Sequence, residues 1–435
     1  MKRKLLAALL VVVIGVSMVA CGNNGSSENE SGDGTSEETT LTMMISTDVS
    51  AAGIEAVCAL AKEKIGINVE FEYKPTGVEG DNLMKTRLAS GDMTDLVFYN
   101  SGALLSALNP SEYFIDLSDN AVIMDRLDEN YISAVTIDGY TYGVPGLSSQ
   151  VGAVMYNKDI YEKYQLEVPE TWSDFITNCK VLKEAGENAV IGSFAEDWTS
   201  QIVFLGDNAN VLKKDPDFPT KLTAGEDTYA ENPNALRSFE KAVELNEYYN
   251  TDFLSTSYED ACEMLYNEKG AQWICLTQAL TNIYDLYGSN DNIGVFAIPA
   301  DEKEDTTLTT WMPTSFYGNK NSDKTDEIVR FMEFYISDEA LDAYASALLP
   351  DGPFCVKGYE MSDNAYPAVS EDMQAYYDNG KTGLAMEFIT DIKGANCPAI
   401  CQEAGSGQTT AEEAAKKYDS DCKLQAQQLG YDWAQ

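Results

Sequence analysis

Residues 139–175 read GYTYGVPGLSSQVGAVMYNKDIYEKYQLEVPETWSDF and contain the clearest succession of secondary-structure signals in the chain. An extended segment rich in glycine and proline leads into an apolar strand, and a short helix follows the strand. Pro169 then precedes Thr171 and Asp174, whose three-residue spacing resembles a capping box and predicts the start of a further helix. A strand followed by two helices indicates an α/β fold.

The rest of the chain continues this alternation. Strands are predicted at 41–46, 67–73, 95–99, 190–194 and 271–276, and helices at 51–65, 83–89, 176–185, 235–249, 258–268, 325–336, 338–348 and after Thr410. Strands separated by helices predict βαβ units and a mainly parallel sheet. Ligands of such sheets bind beyond the carboxyl ends of the strands, here in the loops 46–50 and 100–103. The proline-rich, acidic stretch 213–232 is predicted to be a surface excursion.

The amino terminus has the layout of an exported protein. Three basic residues precede the apolar run 5–19, which is typical of a secretory signal peptide and shorter than the roughly 20 residues that span a bilayer. The sequence MVAC that ends at Cys21 resembles the lipobox of bacterial lipoproteins, in which the cysteine is acylated. We therefore expect a signal peptide over 1–20, a flexible lipid-anchored tether over 21–40, and attachment to the extracytoplasmic face of the cell membrane.

Composition excludes several classes of function. The 435 residues include 71 acidic and 29 basic side chains, and the net charge is −42. Such a surface repels nucleic acid, so we expect no nucleic-acid partner. The chain contains no histidine, which rules out Ser-His-Asp and Cys-His hydrolysis and histidine-ligated zinc. No cofactor and no metal site are expected.

Eight cysteines follow Cys21, and their spacing is wide and unpatterned. They are Cys58, Cys179, Cys262, Cys275, Cys355, Cys397, Cys401 and Cys422. Cys58 and Cys179 occupy apolar positions of helical patterns, which indicates buried thiols. Cys397 and Cys401 form a close pair without a second pair nearby, which argues against zinc. Disulfide pairing stays open at this point.

Several sequence blocks, in their order, resemble one family. They are LASGDMTDLVFYNSG, YTYGVP leading into MYNKDIYEKYQLEVPETWSDF, NEKGAQWI, NIGVFAIP, KTDEIVRFMEFYISDEA and SGQTTAEEAAKKY. Together they are similar to the extracellular solute-binding proteins of ABC importers, in the group that contains maltose-binding protein. The resemblance covers nearly all of 41–435 and is strongest at YNKD, residues 156–159, with Pro169, Thr171 and Trp172 behind it.

The resemblance implies a two-lobed α/β fold of the periplasmic-binding-protein type II, with discontinuous lobes and a ligand cleft between them. The first lobe would comprise 41–147 with 298–346, and the second 148–297 with 347–435. Hinges would lie near 145–149, 298–300 and 348–352. The implied protein is a monomeric, non-catalytic carrier that captures a carbohydrate and delivers it to the permease of an ABC transporter.

A sugar offers hydroxyl edges and an apolar ring face, so its site needs aromatic side chains and planar polar groups. The candidates are Asp48, Tyr99, Asn100, Gln150, Asp197, Trp198, Gln278 and Trp311. The resemblance implies a hydroxyl-binding role for Asp48, in the loop after the first strand. Tyr99 and Asn100 lie where a predicted strand ends, and the others are placed by the resemblance or by their loops. A tryptophan often found in the family is replaced around Thr277 and Gln278, which leaves the sugar unidentified. Trp172 and Trp273 are interpreted as structural.

Two alternatives remain from the sequence. The same fold could bind a peptide, a polyamine or another small solute, and the carboxylates of Asp48, Glu196 and Asp197 suit a cation. A lipid-anchored glycoside hydrolase would use two carboxylates and needs no histidine. With 71 acidic residues, finding two such carboxylates means little, and no pair stands out by a motif.

Overall fold

The computed structural model describes residues 39–359 and 365–435. The predicted signal peptide, Cys21 and the tether up to residue 38 lie outside the described residues. The first strand begins at Thr39 and its first two residues pair with Ile67 and Asn68. The last two residues predicted for the tether therefore belong to a sheet.

Twelve strands are present in the described part of the chain. They are β1 (Thr39–Ser46), β2 (Ile67–Lys74), β3 (Leu96–Tyr99), β4 (Thr136–Ile137), β5 (Tyr140–Thr141), β6 (Gly143–Pro145), β7 (Gln150–Asn157), β8 (Gln272–Leu276), β9 (Ile293–Ala297), β10 (Leu308–Trp311), β11 (Ser315–Gly318) and β12 (Thr382–Leu384). Ten of them form two five-stranded sheets, and β4 and β5 form a separate hairpin.

The first sheet has the order β2-β1-β3-β11-β6. Strand β1 is parallel to both β2 and β3, as the alternation of strands and helices predicts. Strand β11 is antiparallel to β3 and β6 because the chain re-enters this sheet from the other direction. The first sheet thus consists of the parallel strands β2, β1 and β3, with β11 and then β6 added beyond β3.

The second sheet has the order β12-β10-β7-β8, and β9 also pairs with β7. Strand β7 is antiparallel to β8, β9 and β10, so the prediction of a mainly parallel sheet is wrong here. All eight residues of β7 are buried, as expected of a central strand covered on both faces. The predicted strand 190–194 forms only isolated bridges at Val190 and Ile191.

Twenty α-helices surround the sheets in the described residues. They are α1 (Ala52–Ile65), α2 (Gly77–Ser90), α3 (Ala103–Ser106), α4 (Pro110–Tyr113), α5 (Ala121–Arg126), α6 (Glu129–Ala134), α7 (Lys158–Tyr164), α8 (Trp172–Glu184), α9 (Asp197–Ser200), α10 (Ile202–Leu205), α11 (Asn208–Lys214), α12 (Phe218–Ala224), α13 (Pro233–Glu244), α14 (Tyr258–Tyr266), α15 (Gln278–Tyr287), α16 (Thr325–Tyr335), α17 (Asp338–Ala347), α18 (Gln374–Asp378), α19 (Cys397–Gly405) and α20 (Ala411–Gln428). Short 3-10 helices include Met386–Phe388, and Ala368–Met373 is a π-helix.

Side-chain caps fix where the predicted helices begin. Thr171 and Asp174 form the expected capping box at α8, and Thr410 and Glu413 form one at α20. Each box satisfies amide groups that the first turn of a helix leaves without partners. The prediction of a surface excursion over 213–232 is wrong, because this stretch contains α12 and buries Phe218, Leu222 and Tyr229 in a core.

The chain passes between the two sheets more than once. It crosses from β6 to β7 and from β10 back to β11. Phe354 and Val356 pack in the core of the first sheet, whereas Tyr366 packs in a core of the second. The hinges near 145–149, 298–300 and 348–352 stay a prediction. The lobes as moving bodies, with their boundaries, stay a prediction.

No helix within residues 39–359 and 365–435 is long and apolar enough to cross a membrane.

A buried carboxyl group in the segment after α17 makes stability depend on pH. Asp351 accepts a hydrogen bond of 2.5 Å from the Ser148 hydroxyl beside the first passage between the sheets. Burial raises the pKa of Asp351 from 3.8 to about 6. The native state therefore keeps a proton that the unfolded chain releases between pH ~4 and ~6.

We expect the native chain to lose stability relative to Asp351→Asn as pH rises from 4 to 7. The difference in the free energy of unfolding should change by about 3 kcal/mol, because the variant has no carboxyl group to ionise at this site. Urea denaturation of both proteins at each pH measures it, and every other carboxyl group is common to the two. Parallel pH profiles would contradict the prediction.

Candidate functional site

A cavity of about 200 Å³ lies between the ends of the two sheets. On the first-sheet side its lining residues follow β1, β2 and β3. On the second-sheet side they come from the start of β7, the end of β10, and helices α9, α10 and α15. The carboxyl ends of the parallel strands β1, β2 and β3 meet at one edge of the first sheet, which explains why their terminal residues converge here.

Seven of the eight predicted site residues line this cavity. They are Asp48, Tyr99, Asn100, Gln150, Trp198, Gln278 and Trp311. Asp197 is not among the lining residues, and its carboxylate instead accepts a hydrogen bond from the amide of Val78 in α2. The role of these residues in binding a ligand stays a prediction.

Trp198 supplies an aromatic face with an unused hydrogen-bond donor. Its ring packs against Tyr258 with the centroids 5.5 Å apart. The indole Nε1 is shielded from solvent and has no hydrogen-bond partner in the described chain. An N–H group buried in this way costs free energy, so a ligand oxygen at this point would be stabilised.

Amide side chains form the polar wall near β7. Gln150 Nε2 donates to Gln278 Oε1 over 3.4 Å. Gln201 is only 8% exposed, and its Oε1 finds no partner among residues 39–359 and 365–435. Trp198 and Gln201 both line the cavity, and each carries one buried polar atom, Nε1 and Oε1 respectively, that has no partner in the described chain.

A buried ion pair supports Trp311, and no sequence pattern predicted it. The Trp311 indole donates to Glu387 Oε1 over 2.6 Å, and Lys393 Nζ donates to Glu387 Oε2 over 2.5 Å. All three side chains are buried. Burial is the largest single influence and lowers the pKa of Lys393, but the charge and hydrogen bond of Glu387, together with Cys397 and Asp81, raise the pKa overall. The pair fixes the indole plane at the cavity wall.

Three further charged groups line the first-sheet side. Burial lowers the pKa of Lys74, and the charge of Asp81 partly opposes this shift. Burial raises the pKa of Asp81, and the charge of Lys74 partly opposes that shift. Burial also raises the pKa of Asp48 from 3.8 to about 6, with Lys74 opposing the shift. The cavity thus combines cationic and anionic side chains whose charges are only weakly hydrated.

A usable signal existed for one of these missed residues. Lys74 ends the alternating strand β2, so its position at the carboxyl end of a strand predicts a place at the cavity, as for Tyr99. Glu387 and Lys393 lie in irregular chain after β12, a strand of three residues. Nothing in their sequence neighbourhood indicates that they reach the cavity.

The elements on the two sides of the cavity touch each other. Asn282 Nδ2 donates to the carbonyl oxygen of Asp48 over 2.9 Å, and the Ser50 hydroxyl donates to Asp285 Oδ2 over 3.0 Å. A Cβ placed on Gly77 would overlap Asp197 Oδ1. Gly77, whose φ of +64° suits glycine, therefore lets the backbone of α2 approach α9 closely.

The eight cysteines are buried free thiols, which confirms the interpretation of Cys58 and Cys179. The sulfur atoms of Cys397 and Cys401 lie 4.0 Å apart. Trp172 and Trp273 are buried and donate to Glu244 and Ser193 respectively, as expected of structural residues.

Within the described residues, no group of three or more His, Cys, Asp or Glu side chains is arranged to hold a metal ion.

Comparison with protein families identifies the class of protein. The family described as bacterial extracellular solute-binding protein matches residues 46–342. The chain belongs to this family. Its members bind solutes without transforming them, so the chain is a carrier and not an enzyme.

Two curated relatives are similar over different lengths. The multiple sugar-binding protein of Streptococcus mutans is 24% identical over 309 residues, which are 68% of this chain and 71% of that protein. The melibiose/raffinose/stachyose-binding protein MelE of Bacillus subtilis is 29% identical over 168 residues, 38% of each chain.

Solved structures share the fold. A chitin oligosaccharide binding protein aligns with a TM-score of 0.76 and 18% identity, covering 90% of this chain and 99% of that one. The solute-binding protein RafE in complex with raffinose gives a TM-score of 0.72 and 17% identity, covering 89% and 99%. The two-lobed type II fold expected from the sequence is confirmed.

Removing Lys393 should destabilise the protein strongly. Lys393→Met leaves the buried carboxylate of Glu387 without its counterion, which typically costs about 3–5 kcal/mol. The matched control is Lys303→Met, which breaks the exposed pair with Glu170 and should cost less than about 1 kcal/mol. Equal losses in urea denaturation would show that the Glu387–Lys393 pair has no special role.

Proposed function

We propose that the chain captures a carbohydrate in the cavity between its two sheets and delivers it to the permease of an ABC transporter. It would work at the extracytoplasmic face of the cell membrane as a monomer held by a lipid on Cys21. The relatives named for multiple sugars and for melibiose, raffinose and stachyose support this kind of solute.

One observation carries the proposal: a buried donor and a buried acceptor without partners lie beside an aromatic face. The donor is Trp198 Nε1 and the acceptor is Gln201 Oε1. A sugar hydroxyl both donates and accepts, so adjacent hydroxyls of one ring would satisfy both atoms. The indole faces of Trp198 and Trp311 suit the apolar face of a sugar ring.

The charges in the cavity favour a neutral polyol over a peptide or a free polyamine at this point. Three lysines (Lys74, Lys85 and Lys393) and three carboxyl groups (Asp48, Asp81 and Glu387) line the cavity, so their formal charges balance and no net charge attracts a cationic solute. The volume of about 200 Å³ is below the roughly 300–1,000 Å³ of typical small-molecule pockets. A single sugar ring is the unit that this enclosure favours.

Trp198→Phe tests the role of the indole donor. This change keeps an aromatic ring and removes one N–H group, so sugar affinity should fall by about 3–10-fold, the effect of one hydrogen bond. The control is Trp433→Phe, which removes the indole donor to the Thr223 carbonyl oxygen away from the cavity. Sugars are first screened by thermal shift, and calorimetry then compares the three proteins.

Affinities that are equal in all three proteins would contradict the assignment of Trp198. A thermal shift caused only by peptides would keep the fold and overturn the proposed solute.

Gly77→Ala tests whether binding closes the cleft. A methyl group at Gly77 would overlap Asp197 across the cavity, whereas Gly91 has open space around its Cβ position. Both glycines have positive φ values, +64° and +73°, so both alanine variants carry a similar backbone strain of about 1–2 kcal/mol. Only Gly77→Ala should weaken sugar binding, by about tenfold or more.

Small-angle scattering provides the second readout. Saturating sugar should reduce the radius of gyration of the native chain and of Gly91→Ala, and should reduce it less in Gly77→Ala. An unchanged radius of gyration in the native chain would contradict closure.

A further inference from the structure

A second cavity of about 380 Å³ adjoins the first. It lies between the loop after β1 and the helices α14 and α15. Asp48, Val49 and Thr76 line both cavities, so the two spaces are neighbours along the cleft.

The two cavities differ in charge. The second is lined by the carboxylates of Asp48, Glu196, Glu259 and Asp285, and its lining in the described chain includes no lysine or arginine. The first has Lys74, Lys85 and Lys393 in its lining. The electrostatic potential therefore becomes more negative along the path from the first cavity to the second.

These carboxylates are held by neutral groups. Glu196 Oε2 accepts from the amide of Tyr258 over 2.7 Å, and Asp285 Oδ2 accepts from the Ser50 hydroxyl over 3.0 Å. None of the four carboxylates is in an ion pair within residues 39–359 and 365–435. Their negative charge is therefore available to a ligand.

Tyr258 is the second, independent sign of a ligand. It lines the cavity and is 5% exposed, yet its hydroxyl has no hydrogen-bond partner in the described chain. Asp48 is near enough to act on the phenol, whose pKa is raised well above the usual value, first by burial. A hydroxyl oxygen accepts hydrogen bonds from an ammonium group, and the tyrosine ring attracts a cation.

We propose that the second cavity binds a protonated amine carried by the solute, so that the preferred cargo is a basic sugar rather than a neutral one. This inference rests on the proposed function, in which the first cavity holds the sugar ring. The ammonium group would lie among the carboxylates of Glu196, Glu259 and Asp285, with Tyr258 as an additional acceptor. The sugar's hydroxyls would remain with Trp198 and Gln201.

Three disaccharides of the same linkage separate charge from shape: the dimer of glucosamine, its N-acetylated form and cellobiose. Putrescine serves as an amine without a sugar. Calorimetry with the full-length protein at low and high salt gives the affinities. The free-amine dimer should bind about fivefold or more tighter than cellobiose at low salt, and salt should reduce the difference.

Glu259→Gln and Asp285→Asn provide the variants, because both residues are exposed and their loss should leave folding intact. Each should reduce the preference for the amine and leave the affinity for cellobiose unchanged. The control is Glu263→Gln, which lies on the same helix α14 but outside the lining of the cavity.

The outcomes are distinct. Equal affinities for the charged and neutral dimers, an amine preference that survives both variants, or no binding of any amine at millimolar concentration would overturn the subsite. Binding of putrescine that weakens in the variants, without binding of any sugar, would keep the subsite and overturn the proposed function. Binding of neutral sugars alone would keep the proposed function and overturn the subsite.

Discussion

The cleft depends on the burial of the charged pair Glu387–Lys393. Both side chains are almost completely removed from solvent, and the free carboxylate oxygen is used by the Trp311 indole. Each charge is tolerated only because the other is present. The pair therefore fixes an aromatic wall of the cavity from residues that follow the short strand β12.

The same residues also reach the opposite side of the cavity. A Cβ at Gly102, in the loop after β3, would overlap the carbonyl oxygen of Glu387. The charge of Asp81 in α2 adds to that of Glu387 in raising the pKa of Lys393. The segment 387–393 therefore supports the Trp311 indole and also contacts the first-sheet side of the cavity.

Sequence patterns were sufficient for the elements with a strong local signal. The alternation of strands and helices predicted β1, β2 and β3, and the spacing of Thr171 and Asp174 predicted the start of α8, because these signals are local. The second-sheet strands β10 and β12 have only four and three residues and pair with partners distant in the chain. Such strands carry no periodic signal, which is why the topology of the second sheet was missed.

The sequence predicted the lining residues that lie at strand ends. It did not predict those contributed by the segment after β12. Asp48, Tyr99 and Gln150 lie at or just beyond strand ends, and all three line the cavity. Glu387 and Lys393 reach it through contacts that no local pattern encodes. The overall charge of −42 also gave no indication that three lysines line the same cavity.

A crystal structure of the protein with the sugar that gives the largest thermal shift would test sugar binding in the cavity most directly. We expect a sugar ring packed against Trp198, with hydroxyl oxygens within hydrogen-bond distance of Trp198 Nε1 and Gln201 Oε1. A sugar bound elsewhere, or a ring in the cavity that leaves both atoms without partners, would contradict it.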